Sequence, residues 1–106
     1  MAKYMITYLG GERPATPEAG QKHMAAYMAW LGALGDAAVS PANPLKGTCT
    51  VSPDRSVYQG GTGMSGFTLI EAESMDAALE IAKTCPFLDI GGSLEVSELM
   101  TMPGQC

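Results

Sequence analysis

The chain holds one histidine, His23, and one tryptophan, Trp30, seven residues later. Imidazole is the side chain whose ordinary pKa lies closest to neutrality, so a lone histidine is the first candidate for moving protons. Seven residues make about two helical turns, so on a helix the two rings point the same way. Tyr27 and Leu34 share their sector, roughly 60° wide on a helical wheel. An imidazole, a phenol and an indole in line at the edge of a core can wall a pocket. The same spacing also describes an amphipathic border, where half-buried aromatics keep their polar tips in water. Both readings stand at this point.

Asp36 directly follows Gly35, where the helical pattern stops. A carboxylate at a helix C-terminus opposes the macrodipole by a few tenths of a kcal/mol or more. The misfit makes Asp36 a candidate with another partner: His23, a ligand or a backbone donor. A solvated, turn-forming aspartate is the plainer alternative. Thirteen residues of straight helix would hold His23 and Asp36 near 20 Å apart, so contact needs a bend or a second copy of the chain. In Pro41-Ala42-Asn43-Pro44 each proline pushes its predecessor to extended geometry. Asn43 then offers an amide at a fixed position, or closes an Asx turn. Glu71 and Glu95 are weaker candidates for pocket carboxylates, since one glutamate per strand is usual on a solvent-facing side.

Other chemistries find little purchase. Cys49, Cys85 and Cys106 lie 36 and 21 residues apart, which fits neither a zinc motif nor a disulfide framework. Gly60-Gly61-Thr62-Gly63 lacks the lysine and the strand-to-helix setting of a phosphate loop. No catalytic triad and no HExxH motif occurs, and no metal or organic cofactor is called for. Six Lys and Arg against eleven Asp and Glu leave a net charge of −5. That balance gives no electrostatic footprint for nucleic acid and no basic face for anionic membranes. No apolar run nears the roughly 20 residues of a membrane helix. MAKYMITYLGG reads as a first strand and not as a signal peptide, so a cytoplasmic protein is expected. Charged residues are only 16%, which favours an oligomer that hides uncharged surface.

The elements that must position these residues follow from periodicity. At 106 residues one domain is expected over 1–106, with a folded core at 1–100 and a loose tail at 101–106. KYMITYLG (3–10) alternates, with Tyr4, Ile6 and Tyr8 on one face. Thr16-Pro17-Glu18 starts a helix that runs to Leu34, its buried stripe being Met24, Tyr27, Met28, Leu31 and Leu34. Gly32 either weakens this helix or permits close packing. A short strand begins at 37–39, and the segment through Pro44 is a stiff connector. TCTV and SVYQ form a hairpin about Pro53-Asp54-Arg55. MSGFTLIEAE (64–73) is the central strand. Ser74 caps a second helix with Met75, Ala78, Leu79 and Ala82 buried, and Pro86 stops it. The loop PFLDIGG leads to the last strand, 93–100, where Leu94 and Val96 face the helices while Glu95, Ser97 and Leu99 face away. The order is an α+β, ferredoxin-like split βαβ plan with an inserted β-hairpin. Its mixed open face suits a second subunit.

Two segments carry a family resemblance: MAAYMAWLGALGDAAVSPANPL, and GFTLIEAESMDAALEIAKTCPFLDIGGSLEVSEL with its Asp-Ala-Ala-Leu-Glu, Cys-Pro and Gly-Gly-Ser-Leu-Glu-Val. Together they resemble the YCII-related (YciI-like, or DGPF) domain proteins over nearly the whole chain. The resemblance implies a bacterial protein with a ferredoxin-like fold and a homodimer of the dimeric α/β-barrel type. Most members have no assigned reaction, and some relatives are dehydrochlorinases of aromatic degradation. A His–Asp pair proposed as an active site in YciI-like members would correspond here to His23 and Asp36. The DGPF tetrapeptide itself is absent.

Two functions remain in view. In one, each subunit of a homodimer holds a small-molecule cavity lined by His23, Tyr27, Trp30, Asp36 and Asn43, with His23 as general acid or base in a cofactor-independent isomerisation or elimination. In the other, the protein is a non-catalytic ligand-binding or interaction module whose sheet face serves dimerisation.

Overall fold

The computed structural model describes residues 1–11 and 15–100. Four strands form one antiparallel sheet: β1 (Ala2–Gly10), β2 (Ala38–Pro44), β5 (Met64–Ala72) and β6 (Gly92–Glu98), in the order β2-β5-β1-β6. Because β5 lies between β1 and β2, the unit β1-α1-β2 is split, which is the ferredoxin-like arrangement. The inserted hairpin, β3 (Cys49–Val51) with β4 (Val57–Gln59), forms a separate two-stranded sheet. The helices are α1 (Pro17–Leu34) and α2 (Met75–Lys83). The expected loose tail, 101–106, lies outside the described residues.

Alternation assigns the two faces of the sheet. Tyr4, Ile6 and Tyr8 of β1 stand opposite Ile70, Thr68 and Gly66 of β5, and opposite Glu98, Val96 and Leu94 of β6. The core is built on this face, with Ile6 and Ile70 shut off from water. Each contributes roughly 1.5–3 kcal/mol through burial. The other face carries Met5 and Thr7 opposite Leu69 and Phe67.

Both helices begin as their capping residues dictate. Thr16 Oγ1 accepts from Ala19 N at 3.1 Å, and Ser74 Oγ accepts from Ala77 N at 3.1 Å. Gly35, at φ 55°, ends α1 in a backbone conformation that glycine adopts freely.

Four expectations are corrected. Met24 and Met28 do not belong to the buried stripe: they are 55% and 57% exposed, while Trp30 and Leu31 seal the helix against the core. The buried sector is thus rotated toward Trp30. Leu79 is also largely exposed, and the packed face of α2 is Ala78 and Ala82, flanked by Ile81. The segment through Pro44 is not a connector but the rest of β2. Prolines are tolerated there because β2 is an edge strand, and two register shifts break its ladder with β5. PFLDI is a 3-10 turn that starts at Pro86.

Gly32 has no packing role, since a Cβ added there meets nothing within 4 Å. Gly32→Ala should therefore raise the unfolding free energy by about 0.5–1 kcal/mol, read as a higher denaturant midpoint at unchanged slope.

Candidate functional site

A cleft of about 250 Å³ opens between the middle of α1 and the sheet. Helix α1 contributes His23, Met24, Tyr27 and Met28 to its lining. Ala42, Asn43 and Pro44 of β2 form the opposite rim, and Ser65, Gly66 and Tyr8 line the sheet side. Phe87, from the 3-10 turn, completes the wall. The two exposed methionines are therefore not stray surface residues: they form an apolar side of the cleft.

Glycines make this closeness possible. A Cβ on Gly66 would stand 2.9 Å from the backbone oxygen of Asn43, so only glycine lets β2 come so near. A Cβ on Gly11 would lie 2.9 Å from Phe87 Cζ, and one on Gly92 would overlap the same ring. Phe87 thereby packs against Tyr8, with ring centroids 5.2 Å apart.

The aromatic sector of α1 is a ladder. His23 and Tyr27 lie 6.5 Å apart with 19° between their planes, and Tyr27 and Trp30 lie 6.0 Å apart at 29°. Its two ends differ. His23 is half-buried at the cleft, whereas Trp30 is a core residue that is only 8% exposed. Trp30 Nε1 donates to Thr84 Oγ1 at 2.9 Å and so anchors α1 to the end of α2.

The remaining sequence candidates divide. Asn43 lines the cleft, but its amide is engaged: Nδ2 donates to Phe67 O at 3.2 Å and to Ser40 Oγ at 3.0 Å. It clamps β2 to β5 across the register shift. Asp36 is exposed in the 3-10 turn Gly35–Ala37, outside the cleft lining. Among the described residues the one ion pair is the surface contact Lys83–Glu80, so His23 and Asp36 do not pair within the chain. Glu71 and Glu95, opposite Lys3 and Thr7, lie on the far face of the sheet. Among the described residues no cluster of three or more His, Cys, Asp or Glu is placed to hold a metal ion. Cys85 is a buried free thiol, pushed above its ordinary pKa chiefly by that burial.

Two residues that were not candidates form the polar heart of the site. Tyr27 donates its phenolic proton to Tyr8 Oη at 2.9 Å. Tyr8 is bonded to Thr68 Oγ1, and Thr68 donates to the carbonyl oxygen of Pro41 at 2.6 Å. Thr68 has one signal in the sequence: it is a hydroxyl residue at the buried parity of the central strand, between Gly66 and Ile70. Such a group needs partners. Tyr8 shows only as one of three residues on a core face, so its neighbours stay hidden in the sequence. Burial first of all, with Tyr27 adding to it, pushes the Tyr8 phenol far above its ordinary value, despite the opposing hydrogen bond with Thr68. Tyr8 is therefore a neutral hydrogen-bonding group and not a phenolate base.

The fold and cleft define a small α+β protein with a single-sided helical layer and a site between helix and edge strand. Residues 2–103 match the YCII-related domain, and the chain belongs to that family. Among solved structures it is similar to 5-chloro-2-hydroxyhydroquinone dehydrochlorinase from Burkholderia phenoliruptrix, in complex with 2,5-dihydroxybenzoquinone. The TM-score is 0.58 at 24% identity, over 92% of this chain and 93% of that one, a likeness of fold. No curated protein matches the chain. Among the described residues no helix is long and apolar enough to cross a membrane.

The raised Tyr8 pKa has a definite consequence for stability. Below pH about 10 the phenol is protonated in both folded and unfolded chains, and its stabilisation is fully present. Above that the unfolded chain ionises first, so stability falls as pH rises. Denaturant midpoints should drop above pH about 10 in the wild type, and Tyr8→Phe should drop less over the same range while starting from a lower value.

Proposed function

We propose that the cleft binds a small single-ring, quinone-like molecule and that His23 moves a proton on it. The observation that carries this reading is the placement of His23 and Tyr27 as near-parallel rings on one apolar cleft. A volume of about 250 Å³ exceeds the roughly 150 Å³ of a cavity that holds benzene, so one substituted ring fits. The similarity in fold to a dehydrochlorinase supports the same class of chemistry. In loss of HX, the imidazole takes the proton, the freed electron pair forms the new π bond, and X leaves as halide. Isomerisation uses the same base and returns the proton elsewhere. Neither needs a resident metal or organic cofactor.

A non-catalytic binding module is the second reading, and one observation favours it. Asn43 is tied to the backbone, Tyr8 is locked neutral, and among the described residues no carboxylate pairs with His23. Asp36 enters the catalytic reading only if a second copy of the chain supplies it. Calorimetric titration with 2,5-dihydroxybenzoquinone, alongside NMR of the His23 ring, tests the reading. Binding with a shift of the imidazole resonances is expected. Absence of binding, or binding that leaves His23 unmoved, overturns it. For a halogenated hydroxyhydroquinone, His23→Gln should lower turnover by roughly 10²-fold or more while changing affinity only a few-fold. Equal turnover in the variant and the wild type would leave the binding module.

The second part of the proposal is a cytoplasmic homodimer formed through the helix-free face of the sheet. Met5, Leu69 and Phe67 stand on that face beside Thr7, and an apolar sheet face open to water is unfavourable. Phe67→Glu should convert the species seen in analytical ultracentrifugation from dimer to monomer. A wild type that sediments as a monomer at high micromolar concentration refutes this part.

A further inference from the structure

We infer that the buried chain behind the cleft makes Tyr27 an obligate hydrogen-bond acceptor, so that the site selects ring compounds carrying a free hydroxyl. The inference rests on the small-molecule reading of the same cleft.

The direction of every proton in the chain follows from its far end. The Pro41 carbonyl can only accept, and it lies 2.6 Å from Thr68 Oγ1, so the single Thr68 proton is spent there. Thr68 must then accept from Tyr8, and Tyr8, its own proton spent, must accept from Tyr27. Reversing any link would set two oxygens against each other without a proton between them. Thr68 has no exposure to water, and Tyr8 has very little, so solvent cannot rescue the reversed order.

The starting point of the chain is a feature of β2. Between Ser40 and Asn43 the strand slips register with β5, and the Pro41 carbonyl is met by the Thr68 side chain. Asn43 holds that slip in place through Phe67 O and Ser40.

At the near end, Tyr27 lines the cleft, and its hydroxyl proton is turned away toward Tyr8. What remains are lone pairs. A ligand hydroxyl reaching this oxygen finds an acceptor; an ether or carbonyl oxygen finds lone pairs facing lone pairs. Sites built around one hydrogen-bond sense discriminate far better than apolar pockets do, because the wrong partner leaves a desolvated polar group unmatched.

The test compares hydroquinone with its dimethyl ether, 1,4-dimethoxybenzene, by calorimetry or ligand-observed NMR. Wild type should prefer hydroquinone by roughly tenfold or more. Thr68→Val removes the acceptor for Tyr8, frees the chain to reverse, and should shrink that preference to within about threefold, while Thr68→Ser keeps it. Tyr27→Phe is the second route: it deletes the acceptor itself at a half-buried position and should also abolish the preference. Equal affinity of wild type for the two probes, or discrimination that survives Thr68→Val and Tyr27→Phe, overturns the inference and leaves the small-molecule site standing. Failure of wild type to bind either probe overturns that site and the inference with it.

Discussion

A hydroxyl shut off from water in the middle of a sheet must be hydrogen-bonded, and the Thr68 side chain is that hydroxyl. Beside a longer contact of 3.5 Å with Tyr27 Oη, its two close partners come from opposite sides. Tyr8 reaches it from the neighbouring strand, and the Pro41 carbonyl reaches it from the edge strand. Much of the local architecture follows from satisfying this one group. The edge strand slips so that a carbonyl faces a side chain; Asn43 absorbs the slip; and Gly66, lacking a Cβ, admits the edge strand at that level.

Helix α1 is then positioned by two polar anchors of different kinds. Trp30 ties its C-terminal half to Thr84, past the end of α2, and fills the core there. Tyr27 ties its middle to Tyr8, edge-on to that ring at 5.9 Å between centroids. Met24 and Met28, on either side of Tyr27 in the chain, turn to the cleft without a comparable anchor. The cleft is the space left where packing stops and the helix still runs on. Methionine suits such a wall, because its flexible thioether adapts to differently shaped ligands.

Most of the fold was legible because it rests on local rules. Strand parity placed Tyr4, Ile6 and Tyr8 together, caps marked both helix starts, and the hairpin announced itself through Pro53-Asp54. The phase of α1 was misread because methionine counts as apolar on a wheel whether it fills a core or lines a cleft. The prolines of β2 read as a break because only the sheet order reveals an edge. At the site, His23 and Tyr27 were visible through their spacing on one helix. Thr68 and Tyr8 were not, since their meeting across sixty residues of sequence depends on register alone. The placement of Asp36 beyond the helix stop kept it apart from His23, as the length of the helix required.

The division of labour in the cleft has a consequence for orientation. An apolar wall holds a ring but does not fix which way its substituents point. Here two polar points on one helix face differ in kind: Tyr27 offers only lone pairs, while the His23 imidazole can both give and take a proton. A ligand bearing unlike groups can satisfy both only in one sense, with its hydroxyl on Tyr27 and its reacting atom toward His23. The buried Thr68 chain thus acts at a distance from the ligand. Thr68 itself lines no part of the cleft, yet it sets the sense of the one contact that tells the two ends of a ring apart.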